Sequence, residues 1–179
     1  KRGFTNIFKS EYQIVNVSSL NNIKTERITA EELKERAILM ADWEISIQRA
    51  DGGWEGYYEG DGMPSIVFNS GQVIRGLLRT FKETNNEKYL ESAIRAADWI
   101  VAAQDSDGSW TSNNYKQMKR VYDTYVCAPL SELYIITKDK KYKQCVIKNC
   151  EFSISNQNHN GWFDLADNTL LNNEAPILH

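Results

Sequence analysis

The sequence predicts an all-α fold in which antiparallel helical hairpins repeat along the chain, and three observations predict it. A Gln-(three residues)-Gly-(one residue)-aromatic turn recurs at Gln48, Gln104 and Gln157, at separations of 56 and then 53 residues. Apolar residues between the copies fall at helical spacing. Capping residues mark the helix starts.

The copies agree well beyond the turn. The first reads Ala41-Asp42-Trp43, Gln48, Asp51, Gly52, Trp54; the second reads Ala97-Asp98-Trp99, Gln104, Asp107, Gly108, Trp110; the third reads Glu151-Phe152, Gln157, Asn160, Gly161, Phe163. Upstream, Thr84-Asn85-Asn86 and Tyr89 match Thr137-Lys138-Asp139 and Tyr142, and Asn69-Ser70 fall level with Tyr122-Asp123. A period of this size identifies a repeat architecture.

Each element follows in order. Residues 1–28 read as an N-terminal segment, a remnant of a preceding repeat or a cap, and residues 29–179 as a repeat domain of about three hairpins. Thr29 with Glu32 forms a capping box, flanked by Ile28 and Leu33 as a hydrophobic staple, and opens an outer helix over 30–48. Val73, Ile74, Leu77, Leu78 and Phe81 make one face of an inner helix over 70–81. Asn86 caps a second outer helix over 86–104, carrying Leu90, Ala93, Ile94, Ala97, Ile100 and Val101. A second inner helix over 123–136 and a third outer helix over 140–157, capped by Asp139, complete the pattern. Turns within a unit are short, near Lys82 to Asn86, whereas the loops Trp54 to Asn69 and Trp110 to Tyr122 between units are long.

Composition narrows the function classes. Of 179 residues, 41% are hydrophobic and 25% charged, as in soluble globular proteins. Twenty-one Lys plus Arg face 24 Asp plus Glu with no basic block, so nucleic acid is not an expected partner. No run approaches the ~20 apolar residues of a membrane span and no address is visible, which makes a cytoplasmic location the expectation. Cys127, Cys145 and Cys150 form an odd set without a CxxC pair, suiting a reducing compartment. His159 and His179 are the only histidines, so neither a metal nor a cofactor is expected.

The stretch Arg95-Ala96-Ala97-Asp98-Trp99-Ile100 with Gln104, Gly108 and Trp110 resembles the QW repeat of squalene and related triterpene cyclases, and the other copies match it more loosely. Similar hairpins build the α/α toroids of protein prenyltransferases, of several polysaccharide lyases and unsaturated-uronide hydrolases, and of the catalytic region of glucuronyl C5-epimerases. With Phe68-Asn69-Ser70-Gly71-Gln72-Val73 opening the inner helix, the unit also resembles toroid proteins associated with polysaccharide genes. The resemblance implies that the hairpins form part of an α/α toroid. Closing such a ring usually takes about six hairpins, so homo-oligomerisation or further flanking repeats are expected.

Residues identical in every copy serve the unit, so the Gln, Gly and Trp of the turn are assigned to stability, and function is sought where the copies differ. Trp162 stands at the offset of Gly53 and Ser109, and Tyr57, Tyr58 and Tyr115 decorate the long loops in the same nonrepeating way. Such rings stack on sugar faces or tuck against their own helices. Glu55, Glu59, Asp61, Arg120, Tyr122, Asp123, Asp164 and Asp167 gather at the same end; each is an acid–base or binding candidate or a solvated loop charge, and Asp123 also fits an N-cap. Arg75 has the small Ala128 as its counterpart, and it either clamps a carboxylate from an inner helix or faces solvent.

The expected site has Tyr122 and Asp123 as catalytic residues and Tyr58, Asn69, Arg75, Arg120 and Trp162 as substrate-binding residues. The expected partner is an acidic oligosaccharide or polysaccharide, processed by lyase, hydrolase or epimerase chemistry or simply bound. The alternatives are a terpenoid cyclase-like or prenyltransferase-like toroid and a non-catalytic scaffold. Against the cyclase stands Asp105-Ser106-Asp107-Gly108, which occupies the repeat turn in place of an Asp-x-Asp-Asp acid. Against the prenyltransferase stands the lack of a zinc pattern.

Overall fold

The computed structural model describes residues 29–56 and 59–166; the segment 1–28, with the expected staple residue Ile28, lies outside the described residues. The chain divides into two units, Lys1–Arg36 and Ala37–His179. In the first unit, the described residues carry the capping box: Glu32 N–H donates to Thr29 Oγ1 at 3.2 Å and Thr29 N–H donates to Glu32 Oε2 at 2.8 Å.

The fold is all-α. The helices are α1 (Ala30–Ile47), α2 (Val67–Thr84), α3 (Glu87–Ala102), α4 (Cys127–Thr137) and α5 (Lys140–Ser155), and among the described residues the only strand-like pairings are two isolated bridges, Glu55 with Ser65 and Gln157 with Phe163. In the second unit α2 packs most extensively on α3 and α4 on α5, while α2 also meets α4 and α3 meets α5. Two hairpins therefore lie side by side, and their helices form two rows.

The hairpin links are built alike. Asn85 closes α2 at φ 54°, its N–H donating to Phe81 O, and Asn86 caps α3 by accepting from Lys88 N–H. Lys138 at φ 62° and Asp139, which accepts from Lys141 N–H, repeat this between α4 and α5. Both expected N-caps are thus present. One helix start differs from expectation: residues 121–126 form a 3-10 turn, and α4 begins only at Cys127, with Val126 at its cap and no side-chain cap bond. Asp123 is therefore not an N-cap.

The repeat turn explains why its residues recur. Gln48 Nε2 donates to Gly52 O at 2.8 Å and to Ser92 O of α3 at 3.0 Å. Gln104 Nε2 does the same with Gly108 O at 3.1 Å and Cys145 O of α5 at 2.9 Å. Each glutamine ties its own turn to the next helix of the row. Asp51, Asp107 and Asn160 accept the backbone N–H two residues on, forming Asx turns. Glycine is required at Gly108, where φ is +89° and a methyl group would lie 2.3 Å from Lys148 O. Trp54 and Trp110 are buried, and their Nε1–H groups donate to Glu44 O and Ile100 O at 2.8 and 2.9 Å. The core around them contains Ile74, Leu77, Leu78, Ile100, Leu130 and Leu133. The three cysteines are free thiols, and burial pushes Cys145 up to about 12.

Candidate active site

The nonrepeating residues meet around the first turns of α2. Two faces of this helix are used. Phe68 and Arg75 meet the 3-10 turn, and Asn69, Gln72 and Val73 line a cleft with α1 and the loop after it.

On the first face, the ring of Phe68 stands edge-on to Tyr122 at 5.9 Å and tilted to Tyr125 at 5.7 Å. Arg75 is exposed; its guanidinium lies 5.6 Å from the Tyr125 ring centroid and donates to the Tyr125 hydroxyl. Of the two orientations open to Arg75, the structure shows a solvent-accessible guanidinium braced on an aromatic ring. Tyr125 itself is 39% exposed, so the platform presents a cation and an aromatic face to solvent.

The cleft on the second face has a volume of about 260 Å³ and is lined by Trp43, Glu44, Trp54, Glu55, Glu59 and Asn69 among others. Asn69 Nδ2 donates to Glu55 O at 3.1 Å, which fixes the loop against α2. Glu55 spends both carboxylate oxygens on that loop, accepting Gly60 N–H at 3.0 Å and Met63 N–H at 2.6 Å. These backbone bonds, the one from Gly60 foremost, hold its carboxyl below the usual range. Glu44 is the opposite case: burial, assisted by the negative charge of Glu59, raises its pKa. Two carboxyls in one cleft thus lean toward different protonation states, the pattern that separates acid from base. Trp43 beside them is 52% exposed.

Glu44 escaped the expected set although the sequence carries a signal for it. Four residues before the repeat glutamine, the other copies have Ile100 and Ser153, both buried, so Glu44 places a carboxyl at a core position of the unit. Gln72 lies three residues from Arg75 on α2, which makes the cleft and the platform neighbours along one helix.

The remaining expected residues are dispersed. Tyr57, Tyr58 and Asp167 lie outside the described residues. Trp162 is half-exposed in the third repeat turn, bonded to Asn158 and Asn160 of that turn. Arg120 is fully buried and its Nη2 lies 3.3 Å from Met118 Sδ. In this conformation it offers no surface to a ligand. Asp123 is fully buried too; its Oδ2 accepts from Asn114 Nδ2, and Oδ1 has no hydrogen-bond partner. Burial pushes its carboxyl up to about 8, against the opposing pull of the Asn114 amide and the Arg120 charge. Among the described residues no group of His, Cys, Asp or Glu is arranged to hold a metal, and no helix is long and apolar enough to cross a membrane.

Residues 23–173 match the family model of glycosyl hydrolase family 88. The chain belongs to this family. Comparison with curated proteins and with solved structures gave no match. As a family 88 member the chain is a carbohydrate-active enzyme of the hydrolase class, which narrows the expected lyase, hydrolase or epimerase chemistry to hydrolysis. An all-helical repeat bearing a cleft with three carboxyls and an exposed tryptophan agrees with that membership.

Proposed function

We propose that this family 88 chain hydrolyses an acidic oligosaccharide at the α2 site, with Arg75 on the Tyr125 platform holding the carboxylate of a uronate unit. The observation that carries the reading is Arg75, an exposed guanidinium braced by an aromatic ring beside an acid-lined cleft. Trp43 and Tyr125 supply faces for stacking on a sugar ring, and Asn69 and Gln72 supply polar contacts. The cleft is close to the lower bound of ligand pockets, about 300 Å³, which suits one sugar unit with the rest of the chain lying outside.

In this reading Glu44 is the acid. Burial, with the Glu59 charge second, raises its pKa and so favours the protonated carboxyl that donation to the substrate requires, and Glu59 in the same cleft is the group placed to polarise water. Tyr122, beside Phe68, remains a candidate for proton transfer on the platform side. Asp123 and Arg120, both fully buried at the 3-10 turn, stay in the proposal as the acid and the cation behind that platform. Tyr58 and Trp162 stay in the proposal as outlying stacking residues.

The test is turnover of uronate-bearing oligosaccharides by the wild type and Glu44→Gln. Glu44→Gln should lower kcat by about a hundredfold or more, the scale of general acid catalysis, with KM little changed and the pH dependence assigned to Glu44 removed. Equal turnover by the two proteins would remove Glu44 from the mechanism. Absence of any activity on uronate-bearing substrates, alongside activity on neutral ones, would overturn the choice of an acidic substrate.

A further inference from the structure

The two long loops between units enclose a second cleft, of about 310 Å³, that the reaction proposed at α2 does not use. Met63, Pro64 and Ile66 of the first loop line it from one side, and Asn114, Tyr115 and Lys116 are among the residues of the second loop that line it from the other. A volume of this size takes one small ligand unit.

The second loop is held there in a costly shape. Lys116 and Gln117 are successive non-glycine residues in the left-handed region, at φ 55° and 53°. Such backbone persists only where its surroundings over-determine it, and it gathers at ligand clamps. The anchor here is Asn114, buried beneath the turn. Its Oδ1 accepts Tyr115 N–H at 2.7 Å, its backbone O accepts Gln117 N–H at 3.0 Å, and its Nδ2 donates to Trp110 O at 3.3 Å and to Asp123. The turn sets the exposed Lys116 ammonium 5.3 Å from the Tyr115 ring centroid. Lys88 and Lys141, in the seams where neighbouring row helices meet, stand over tyrosines in the same way, but each is also paired with an aspartate, Asp42 or Asp98. Lys119 of the same loop is paired with Asp107. Lys116 has no carboxylate partner among the described residues.

The first loop joins this cleft to the α2 cleft. Glu55 accepts Met63 N–H at 2.6 Å, Gly56 N–H donates to Pro64 O at 3.1 Å, and Ile66 N–H donates to Trp54 O at 3.1 Å. Gly56 permits the approach, since a methyl group there would lie 2.5 Å from Ile66 Cγ1. Trp54 and Glu55 line the α2 cleft, whereas Met63, Pro64 and Ile66 line the second. One wall of two paired segments therefore separates the clefts.

We infer that the second cleft is a distal subsite for a further acidic sugar unit of the oligosaccharide bound at α2, with Lys116 meeting its carboxylate. This rests on the reading of α2 as the site of an acidic substrate. The side chains of Met63, Pro64 and Tyr115 offer the apolar surface on which a sugar face packs, and Ser112 and Gln117 offer polar contacts. A neutral unit would leave the lysine unmatched.

The experiment compares a uronate-bearing tetrasaccharide with the corresponding disaccharide, too short to cross the wall, on the wild type, Lys116→Ala and Lys116→Arg. Thermal melts confirm that each variant is folded. The advantage of the tetrasaccharide in kcat/KM should fall about tenfold in Lys116→Ala, through KM, and be largely kept in Lys116→Arg. Esterifying the carboxylates of its distal half should abolish the same advantage in the wild type and leave Lys116→Ala nothing more to lose. Calorimetric binding of the tetrasaccharide to Glu44→Gln, with and without Lys116→Ala, reads the same contact without turnover. A tetrasaccharide-to-disaccharide ratio indifferent to Lys116→Ala, or equal binding by the two proteins, would overturn the inference and leave the α2 reading intact. Absence of turnover on both substrates would count against the α2 reading, and the binding measurement would still decide the role of Lys116.

Discussion

Replacing Asp123 by Asn should stabilise the protein at neutral pH and flatten its pH dependence. The carboxyl is fully buried, its Oδ2 is engaged by Asn114, and its Oδ1 has no hydrogen-bond partner, so ionising Asp123 costs more desolvation than the Asn114 amide and the Arg120 charge offset. Burial pushes the folded-state pKa up to about 8 from 3.8 in a model peptide. Between these values the native chain keeps a proton that the unfolded chain has released, so stability is full below the unfolded pKa and is lost as pH rises toward the folded one. Each pH unit in that window costs about 1.4 kcal/mol, and the span from pH 5 to pH 7 roughly 3 kcal/mol. Glu44, raised as well, adds to the same trend, whereas Asp42, Asp107 and Asp139 are lowered and act only under more acidic conditions. Urea unfolding at pH 5, 6, 7 and 8 is the assay. The wild-type midpoint should fall with pH, while Asp123→Asn, neutral throughout, should hold its midpoint over most of the range and exceed the wild type at pH 7. A wild type equally stable at pH 5 and pH 7, together with an Asp123→Asn variant weaker than it at pH 7, would show that the group is ionised and paired, refuting the reasoning.

Other expectations separate repeat residues from site residues. Gln104→Ala should cost about 1–3 kcal/mol in chemical unfolding, because Gly108 O and Cys145 O both lose the amide that bridges them, whereas Gln157→Ala, whose amide among the described residues donates to Gly161 O alone, should cost clearly less. Trp110→Ala empties a fully buried site and should cost about 3–5 kcal/mol, read as a lower Tm. Gly108→Ala should destabilise far more than Gly161→Ala, since both glycines have positive φ but only the first faces a backbone oxygen at close range. Equal melting temperatures for the two glycine variants would contradict the seam geometry.

The row helices were legible because their signals are local. The predicted spans 30–48, 86–104 and 140–157 became Ala30–Ile47, Glu87–Ala102 and Lys140–Ser155, each set by apolar periodicity and a nearby cap. The helices of the other row were less legible at their starts, where long-range contacts decide. α2 begins at Val67, earlier than the predicted 70, where Ile66 N–H is bound to Trp54 O across the loop and Val67 N–H to Asn113 O. Residues 123–126 join a 3-10 turn in place of a helix start, with Asp123 held by Asn114 from the preceding loop. The burial of Arg120 has no sequence signal, since charged side chains are rarely enclosed and nothing in the repeat marks this one. Arg75 stands out in the sequence by contrast with Ala128; the same contrast marks Glu44 against Ile100 and Ser153, where the expected set passes it over, and in both a charged residue breaks the pattern of its copies. Proximity in sequence to a long loop was the weaker guide, because it grouped the exposed Trp162 with the buried Asp123.

The central claim, that the α2 site selects an acidic sugar through Arg75, is tested most directly by one ratio. The measurement is kcat/KM for a uronate-bearing oligosaccharide divided by kcat/KM for its neutral counterpart, determined for the wild type and Arg75→Ala. Losing a hydrogen bond to a charged ligand group removes about 1.5–3 kcal/mol. The ratio should therefore fall at least about tenfold in Arg75→Ala, mainly through KM for the acidic substrate, with the neutral substrate unaffected. An unchanged ratio, or an equal loss on both substrates, would contradict the account and leave Arg75 as a brace for Tyr125 alone.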